Sequence, residues 1–381
     1  MEVAGSGASS LRRMFADRIE RVRANMVSHD VDALLLSVGP ELPYLTGYEA
    51  MPLERLTMLV LPVDGAATLF VPTLEAARVV ERPDVFSTVP WGETEDPIRL
   101  VSESVSPRAS LAVGDRTWAR FVIDLQAALP GASLQRAADI VGSVRAVKDE
   151  AEIEALRTAG SAADRVADQL QNGDIPLRGR TEAEVSADIG RRLLDEGHHR
   201  VNFAIVAAGP NAASPHHEPG AHEIAEGEAV LCDFGGTIAG PGGVGYCSDM
   251  TRVVAVGSAP ADLERAYRSL QSAQAAAVAA AQVGVSCQDI DRVARTALAE
   301  DGLGDFFIHR TGHGIGIEEH EDPYIVEGNE EQVLAGHAFS VEPGVYVPGE
   351  WGIRLEDIVV ATDDGPLACN RADHGLVVVD A

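Results

Sequence analysis

The alternation of apolar and polar positions divides the chain into two parts. In the first part, short apolar runs alternate with amphipathic stretches, a pattern typical of α/β domains. The predicted elements there are, in chain order, a helix over 11–29, strands over Val31–Val38, Leu56–Val63 and Ala67–Val71, a helix over 73–80, a strand over Ser110–Val113 and a helix over 117–129. We therefore expect an α/β domain over residues 1–146.

The second part begins at Val147, where acidic residues open a long amphipathic helix and suit the positive end of its dipole. The predicted elements that follow are helices over 148–171 and 181–197, strands over Val201–Ala207, into Asp233 and after Asp249, and helices over 260–282 and 286–301. Helices followed by strands, twice over, predict an α+β domain over 147–381. Its two similar halves would lie face to face, with a site between them.

Composition narrows the class of protein. With 381 residues, 46% of them hydrophobic and 23% charged, the chain matches a soluble globular protein of two domains. The 59 acidic residues exceed the 30 basic ones and give a net charge of −29, which disfavours binding to nucleic acid or to an anionic membrane surface. No apolar run has the length of a signal peptide or membrane span, and the four cysteines lack metal-binding spacing. We expect a cytoplasmic protein with reduced thiols.

Five potential metal ligands fall in order in the second part, within the strings CDFGG, YCSDMTR, TGHGIG, SVEPGVY and IRLED. They are four carboxylates and one imidazole: Asp233, Asp249, His313, Glu342 and Glu356. Each acid taken alone is more often a turn or loop residue, but several adjoin strand-like apolar strings, where a buried carboxylate needs a partner. This donor set favours hard divalent ions over a structural zinc site, and two ions sharing a water indicate hydrolysis.

Three histidines and one arginine stand near these ligands. His216 lies in SPHHEP, while His309 and His320 flank His313 in HRTGHGIGIEEHEDP. Loop histidines are more often solvated than catalytic, but these imidazoles could donate to a tetrahedral intermediate or hand a proton to a leaving amine. Arg354 would share a strand face with Glu356 and orient it, or form a surface salt bridge.

Taken in order, the strings SPHHEP, CDFGG, GYCSDMTR, HRTGHGIG, HEDPY, EPG and IRLED resemble the pita-bread metallopeptidases. The resemblance is to the branch of Xaa-Pro dipeptidases (prolidases) and Xaa-Pro aminopeptidases, and it spans roughly residues 148–370. The first part, including the segment 42–48, is similar to the creatinase-type N-terminal domain of that branch. The expected fold is thus an α/β creatinase-like domain followed by an α+β pita-bread domain with two pseudo-symmetric halves.

The resemblance implies roles for the named residues. It implies two divalent metal ions, manganese first with cobalt or zinc as alternatives, held by Asp233, Asp249, His313, Glu342 and Glu356. A metal-bridging hydroxide would then cleave the Xaa-Pro bond of dipeptides or at the N-terminus of short peptides. His216, His320 and Glu342 would be catalytic, and His309 and Arg354 would bind substrate. The first domain would serve assembly and substrate gating in a homodimer.

One departure and two alternatives stay open. The interval of 16 positions from Asp233 to Asp249 exceeds that of the family, and the extra length in Ala239–Gly245 predicts a longer hairpin tip. A hydrolase of another small amide, similar to the ectoine hydrolases, is one alternative function. A metal-free hydrolase or binding protein similar to creatinase is the other, although such relatives have typically lost ligands that are all present here. The modest length favours a dipeptidase, with the residue that captures the substrate C-terminus unidentified.

Overall fold

A computed structural model describes the backbone of residues 3–380 and the side chains from Arg13 onward. The chain divides into two compact units. The first comprises Met1–Arg145 together with Pro241–Val244, and the second comprises Ala146–Gly240 together with Gly245–Ala381.

The first unit is built on a mixed sheet. Its strands are β1 (Ala33–Leu36), β2 (Met58–Pro62), β3 (Ala67–Pro72), β4 (Phe86–Trp91), β5 (Ser110–Val113) and β6 (Ser133–Arg136). Its helices are α1 (Val3–Ser28), α2 (Glu41–Thr46), α3 (Pro97–Glu103), α4 (Ala119–Ala128) and α5 (Ser143–Ala146), which ends at the boundary. The strand order is β4-β3-β2-β1-β5-β6. Buried residues of β1, β5 and α4, among them Leu35, Leu111 and Phe121, form its core.

The apolar runs predicted the inner strands of this sheet, but not its edges. The expected helix over 73–80 is wrong, because the structure has only a single 3₁₀ turn at Ala76–Arg78. Leu74 and Val80 are exposed there, so their apolar side chains do not make a stripe that packs against a core. The edge strands β4 and β6 were not predicted. The sequence of β6 is polar and largely exposed, and in β4 the buried Phe86 and Trp91 are separated by exposed or half-exposed positions.

The second unit repeats a pair of helices followed by strands. Its helices are α6 (Glu150–Gln171), α7 (Glu182–Asp195), α8 (Ala261–Ala280) and α9 (Cys287–Glu300). Its strands are β7 (Arg200–Ala208), β8 (Ala229–Ala239), β9 (Gly245–Cys247), β10 (Met250–Val256), β11 (Gly312–Gly314), β12 (Glu321–Ile325), β13 (Ala338–Val341), β14 (Gly344–Val347), β15 (Trp351–Arg354), β16 (Asp357–Thr362), β17 (Gly365–Ala368) and β18 (Val377–Val379). The predicted helices of this unit are confirmed to within a few residues.

These strands form two larger sheets and one ribbon. The first sheet has the order β18-β10-β8-β7, with β9 paired to β8, and the second has the order β12-β11-β13-β16-β17. Strands β14 and β15 pair as a separate antiparallel ribbon. Because β8 and β9 are antiparallel, the Gly-rich stretch after Ala239 is a hairpin turn, as predicted.

Local signals explain where the two helices that precede the first sheet begin. Asp149 at the start of α6 and Thr181 at the start of α7 each form a capping box with the glutamate three residues on, Glu152 and Glu184. Each box satisfies backbone N–H groups that the first helical turn leaves without partners, and such a cap typically stabilises by about 1 kcal/mol.

The alternation of β8 decides which way its acidic residue points. Val230 and Cys232 belong to the cluster formed with α6 and α7. Leu231 belongs instead to the cluster that includes α8, α9 and the second sheet. Asp233 has the parity of Leu231, so its side chain points toward the second sheet rather than toward α6 and α7.

Among the described residues, none of the helices combines the length and apolar character needed to cross a bilayer.

A buried histidine of the second unit links stability to pH. His337 has 1% of its surface exposed, and its Nδ1 accepts a hydrogen bond from the backbone N–H of Leu334 at 3.3 Å. Burial, aided by the charge of Lys148, lowers the pKa of His337 to about 4. Protonation at Nδ1 would remove this acceptor, so the folded protein keeps the ring neutral.

We expect His337→Gln to weaken the dependence of stability on pH. The unfolded chain binds this proton near pH 6.5, whereas the folded protein binds it only near pH 4. The contribution of His337 is therefore complete above pH 6.5 and is lost as pH falls through this window, by on the order of 3 kcal/mol at its lower end. Thermal unfolding at pH 7 and pH 5 should show a smaller fall in Tm for the variant than for wild type.

The control is His199→Gln, at an exposed histidine of the same unit, which should behave as wild type. Equal falls in Tm in wild type and His337→Gln would contradict the prediction.

Candidate metal centre

The five predicted ligands come from both sheets of the second unit. Asp233 lies within β8, and Asp249 directly precedes β10. His313 is the middle residue of β11, while Glu342 follows β13 and Glu356 precedes β16. Strands of two sheets, and the residues directly beside them, thus deliver four acids and one imidazole to the same region.

Short distances connect these side chains. Ligand atoms of Asp249, His313 and Glu356, all buried, lie within 4.8 Å of one another. The Nε2 atom of His313 is 3.8 Å from Asp249 Oδ2 and 3.1 Å from Glu342 Oε1. The structure therefore brings four of the five predicted residues into one cluster around His313.

Asp233 joins the cluster through an arginine. Its Oδ2 accepts a hydrogen bond from Nη2 of Arg354, and Nε of the same guanidinium is 4.0 Å from Glu342 Oε2. The other oxygen of Asp233, Oδ1, is buried and has no hydrogen-bond partner within the described residues. A buried carboxylate oxygen without a donor is costly unless a ligand from outside the chain satisfies it.

The pKa shifts of these acids show that the cluster has too little positive charge to balance its carboxylates. Burial, and then repulsion by Glu356 and Asp233, raises the pKa of Asp249 well above its usual range. Burial and repulsion by Glu342 do the same to the pKa of Glu356, and burial raises the pKa of Asp233 despite Arg354. Within residues 13–380, Arg354 is the single guanidinium that contacts the carboxylate groups of these acids.

Glu342 behaves differently from the other acids. Burial raises the pKa of its carboxyl group, but the hydrogen bond and charge of His313 outweigh burial and lower the pKa to about 2. Ser340 Oγ also donates to Glu342 Oε1 at 3.0 Å, while accepting from the backbone N–H of His313 at 3.0 Å. Glu342 is thus held ionised against the imidazole.

This donor set fits divalent metal ions. Carboxylate oxygens with one imidazole suit hard or borderline divalent cations, and cations would relieve both the repulsion among the acids and the unsatisfied oxygen of Asp233. The neighbouring thiol of Cys232 faces the α6–α7 core instead, and burial raises its pKa, so it is not a thiolate donor.

Arg354 is committed to neighbouring protein atoms. Its side chain is buried, with Nε donating to Thr251 Oγ1 at 3.1 Å and Nη1 donating to Tyr346 OH at 2.7 Å and to the Pro215 carbonyl at 3.4 Å. It reaches Glu356 only through Thr251, whose hydroxyl donates to Glu356 Oε2 at 2.7 Å. Each nitrogen of the Arg354 guanidinium therefore donates to a protein atom.

His309 lines the centre without contacting the ligand atoms. Its Nδ1 lies 2.7 Å from the Arg310 carbonyl, which can only accept, so Nδ1 carries the proton. Its Nε2 then accepts from the Tyr346 hydroxyl at 2.9 Å. Burial lowers the pKa of His309, which favours the neutral form of the ring.

The other two predicted histidines have exposed side chains. The rings of His320 and His313 are 4.0 Å apart between centroids. Partial desolvation, followed by the charges of His313 and Arg310, lowers the pKa of His320 to about 4. His216 lies in the loop after β7, next to the Pro215 carbonyl that accepts from Arg354.

Three residues of the centre were not singled out from the sequence. Thr251, Ser340 and Tyr346 each orient a proposed ligand or a nearby histidine. All three lie inside the strings that surround the ligands, YCSDMTR and SVEPGVY, so position near an acid was an available signal. Their hydroxyl groups became informative only once the partners across the strands were known.

Comparison with known families gives two matches along the chain. The family described as metallopeptidase family M24 matches residues 154–363. The creatinase/prolidase N-terminal domain matches residues 18–147.

Similar proteins cover nearly the whole chain. A protein of Mycobacterium tuberculosis named probable dipeptidase PepE is 42% identical over 371 residues, or 96% of this chain and 97% of its own. The crystal structure of dipeptidase PepE from Mycobacterium ulcerans aligns with a TM-score of 0.90 at 41% identity, covering 97% of this chain and 98% of that one. A prolidase structure from Thermococcus sibiricus aligns with a TM-score of 0.89 at 32% identity, covering 96% and 99%.

These matches confirm the predicted family and fold class, a creatinase-like N-terminal domain followed by a pita-bread catalytic domain. The chain belongs to metallopeptidase family M24 and is a metal-dependent peptidase.

Proposed function

We propose that this peptidase hydrolyses the Xaa-Pro bond of dipeptides, or of short peptides at their N-terminus, with two divalent ions. The observation that carries the proposal is the buried cluster of four carboxylates and His313, which is opposed by one guanidinium and contains the unsatisfied Oδ1 of Asp233. Similarity to a structure named prolidase supports the choice of bond.

The residues that would hold the ions are Asp233, Asp249, His313, Glu342 and Glu356. Manganese is the first choice, with cobalt or zinc as alternatives, because oxygen donors with one imidazole accommodate all three. When bound, the two ions would supply Lewis-acid polarisation of the scissile carbonyl and a water whose pKa lies near neutrality.

The side chains around the cluster would handle substrate and protons. Exposed rings at His216 and His320 would hydrogen-bond to the carbonyl oxygen as negative charge develops there. Glu342 would accept a proton from the attacking water and pass it to the proline nitrogen, which must be protonated to leave. His309 would line the pocket, and Arg354 would hold Asp233 and Thr251 in place.

The two parts of the chain would divide the work. We assign residues 1–146 to assembly and substrate gating, and residues 147–381 to catalysis. Resemblance to the prolidase branch supports a homodimer as the working form.

Replacing a ligand and replacing an exposed histidine should have different consequences. We expect Asp249→Ala to lose bound metal, because it removes a buried oxygen donor beside His313 and Glu356. His216→Ala should keep its metal but lose turnover by roughly 10²–10⁴-fold, the usual contribution of a positioned acid or base. Metal analysis after extensive dialysis, together with kcat on an Xaa-Pro dipeptide, measures both.

Asp301→Ala, at an exposed acid after α9, is the matched control and should retain both metal and activity. Equal metal loss in Asp249→Ala and His216→Ala would make His216 a ligand rather than a catalyst. Wild-type protein without tightly bound metal, and without Xaa-Pro hydrolysis restored by manganese or cobalt, would support the metal-free alternative instead.

A substrate panel tests the identity of the bond. We expect Xaa-Pro dipeptides to be cleaved with higher kcat/KM than Xaa-Pro tripeptides, and N-acyl or cyclic amides to resist. A preference for tripeptides would make the protein an aminopeptidase. Cleavage of the small amides alone would instead favour the hydrolase similar to ectoine hydrolases.

A further inference from the structure

A buried carboxylate outside the metal centre holds the loop that carries His216. Glu182 is the first residue of α7 and has 0% of its surface exposed. It lies far from the ligand strings in the sequence, so nothing in those strings pointed to it.

Both oxygens of Glu182 accept hydrogen bonds from the 208–220 loop. Oε1 accepts from the backbone N–H of Ala208 at 2.9 Å and from Asn211 Nδ2 at 3.0 Å. Oε2 accepts from His217 Nε2 at 2.8 Å and from the backbone N–H of Gly220 at 3.2 Å. One carboxylate therefore joins both ends of this loop and two points between them.

The bonds also keep Glu182 charged. Burial raises the pKa of this carboxyl group, but the hydrogen bonds from the loop, led by those of Ala208 and His217, outweigh burial and lower the pKa. An ionised carboxylate accepts at four positions, which matches the four donors that surround it.

A helix-stabilising role does not account for this arrangement. Acidic residues in the first turn favour the helix dipole, and Glu184 completes the capping box of α7 with Thr181. The hydrogen bonds of the Glu182 side chain, by contrast, all run to the loop.

The opposite side of the loop rests on the metal centre. The Pro215 carbonyl accepts from Arg354, the residue that also binds Asp233. The Ala212 carbonyl lies against β15 so closely that a Cβ at Gly352 would be 1.8 Å from it. The loop is thus clamped between Glu182 and β15.

His216 stands between the two anchors. Its neighbours Pro215 and His217 bind Arg354 and Glu182, whereas the His216 ring is exposed and, within residues 13–380, has no hydrogen-bond partner. The position of that ring is therefore set by its backbone, and the backbone is set by the two anchors.

We propose that Glu182 is a positioning residue that fixes His216 at the metal centre by tying the 208–220 loop to α7. The inference rests on the proposed catalytic role of His216. A displacement of about 1 Å in a catalytic group can lower turnover by as much as about 10²-fold, so loss of this tie should reach the chemistry without touching the ligands.

The test compares Glu182→Gln with Glu184→Gln. The amide keeps the size of Glu182 but replaces one accepting oxygen by an NH₂ group, which leaves loop N–H donors unsatisfied. We expect kcat on an Xaa-Pro dipeptide to fall by about 10- to 100-fold, with KM within about threefold of wild type and metal content unchanged. Glu184→Gln, on the same helical turn but outside the loop network, should keep wild-type kcat.

A double-mutant cycle separates positioning from general structural damage. In the His216→Ala background, Glu182→Gln should change kcat by less than about twofold, because the group it positions is gone. His217→Phe, which removes one of the four donors, provides a second measurement of the same coupling and should also lose its effect in that background. It serves in place of Glu182→Gln should that variant not fold.

Four results would overturn the inference. Wild-type kcat in folded Glu182→Gln, with His216→Ala inactive, would leave Glu182 without a positioning role. An equal fall in kcat in both backgrounds, or loss of metal in Glu182→Gln, would mark the effect as structural. Wild-type turnover in His216→Ala would instead remove the proposed role of His216 itself, and with it the group to be positioned.

Discussion

The structure depends on one electrostatic constraint, the collection of four carboxylates in a buried space with a single guanidinium to oppose them among the described residues. Such a cluster is unstable unless cations or protons neutralise it. The two sheets of the second unit converge on it, with Asp233 inside a strand and the other three acids directly beside strands. A site with so much uncompensated negative charge is suited to binding metal cations.

The groups behind the ligands are organised by the same need. Arg354 binds Asp233, Thr251 and Tyr346, so one side chain links the first sheet to the ribbon beside it. Hydroxyl groups complete the arrangement, since Thr251 holds Glu356 and Ser340 holds both Glu342 and the His313 backbone. Fixed donors of this kind reduce the freedom of the acids before any ion arrives, which is how surrounding groups tune metal sites.

The elements that could be predicted from the sequence are those with a strong local signal. The long helices of the second unit were predictable because their apolar stripes repeat over many turns, and Asp149 and Thr181 mark where α6 and α7 begin. The structure of residues 73–80 was not predictable, because a short apolar stretch has a helical pattern whether or not it packs against a core. The edge strand β6 of the first unit carries a single apolar residue, which is too few to distinguish it from a loop.

The sequence by itself determined the residue types of the site, their order and the strings that identify the family, since these are properties of short segments. It also determined that Asp233 lies on the strand face opposite to that of its immediate neighbours, because the side chains of a strand alternate between its two faces whatever packs against them. Only the tertiary structure decided which donor meets which acid. Arg354 pairs with Asp233 across 121 positions rather than with nearby Glu356, and Glu182 reaches His217 across 35. Hydrogen bonds are short and directional, so partners distant in the chain are chosen by the packing of strands and loops, which no local pattern encodes.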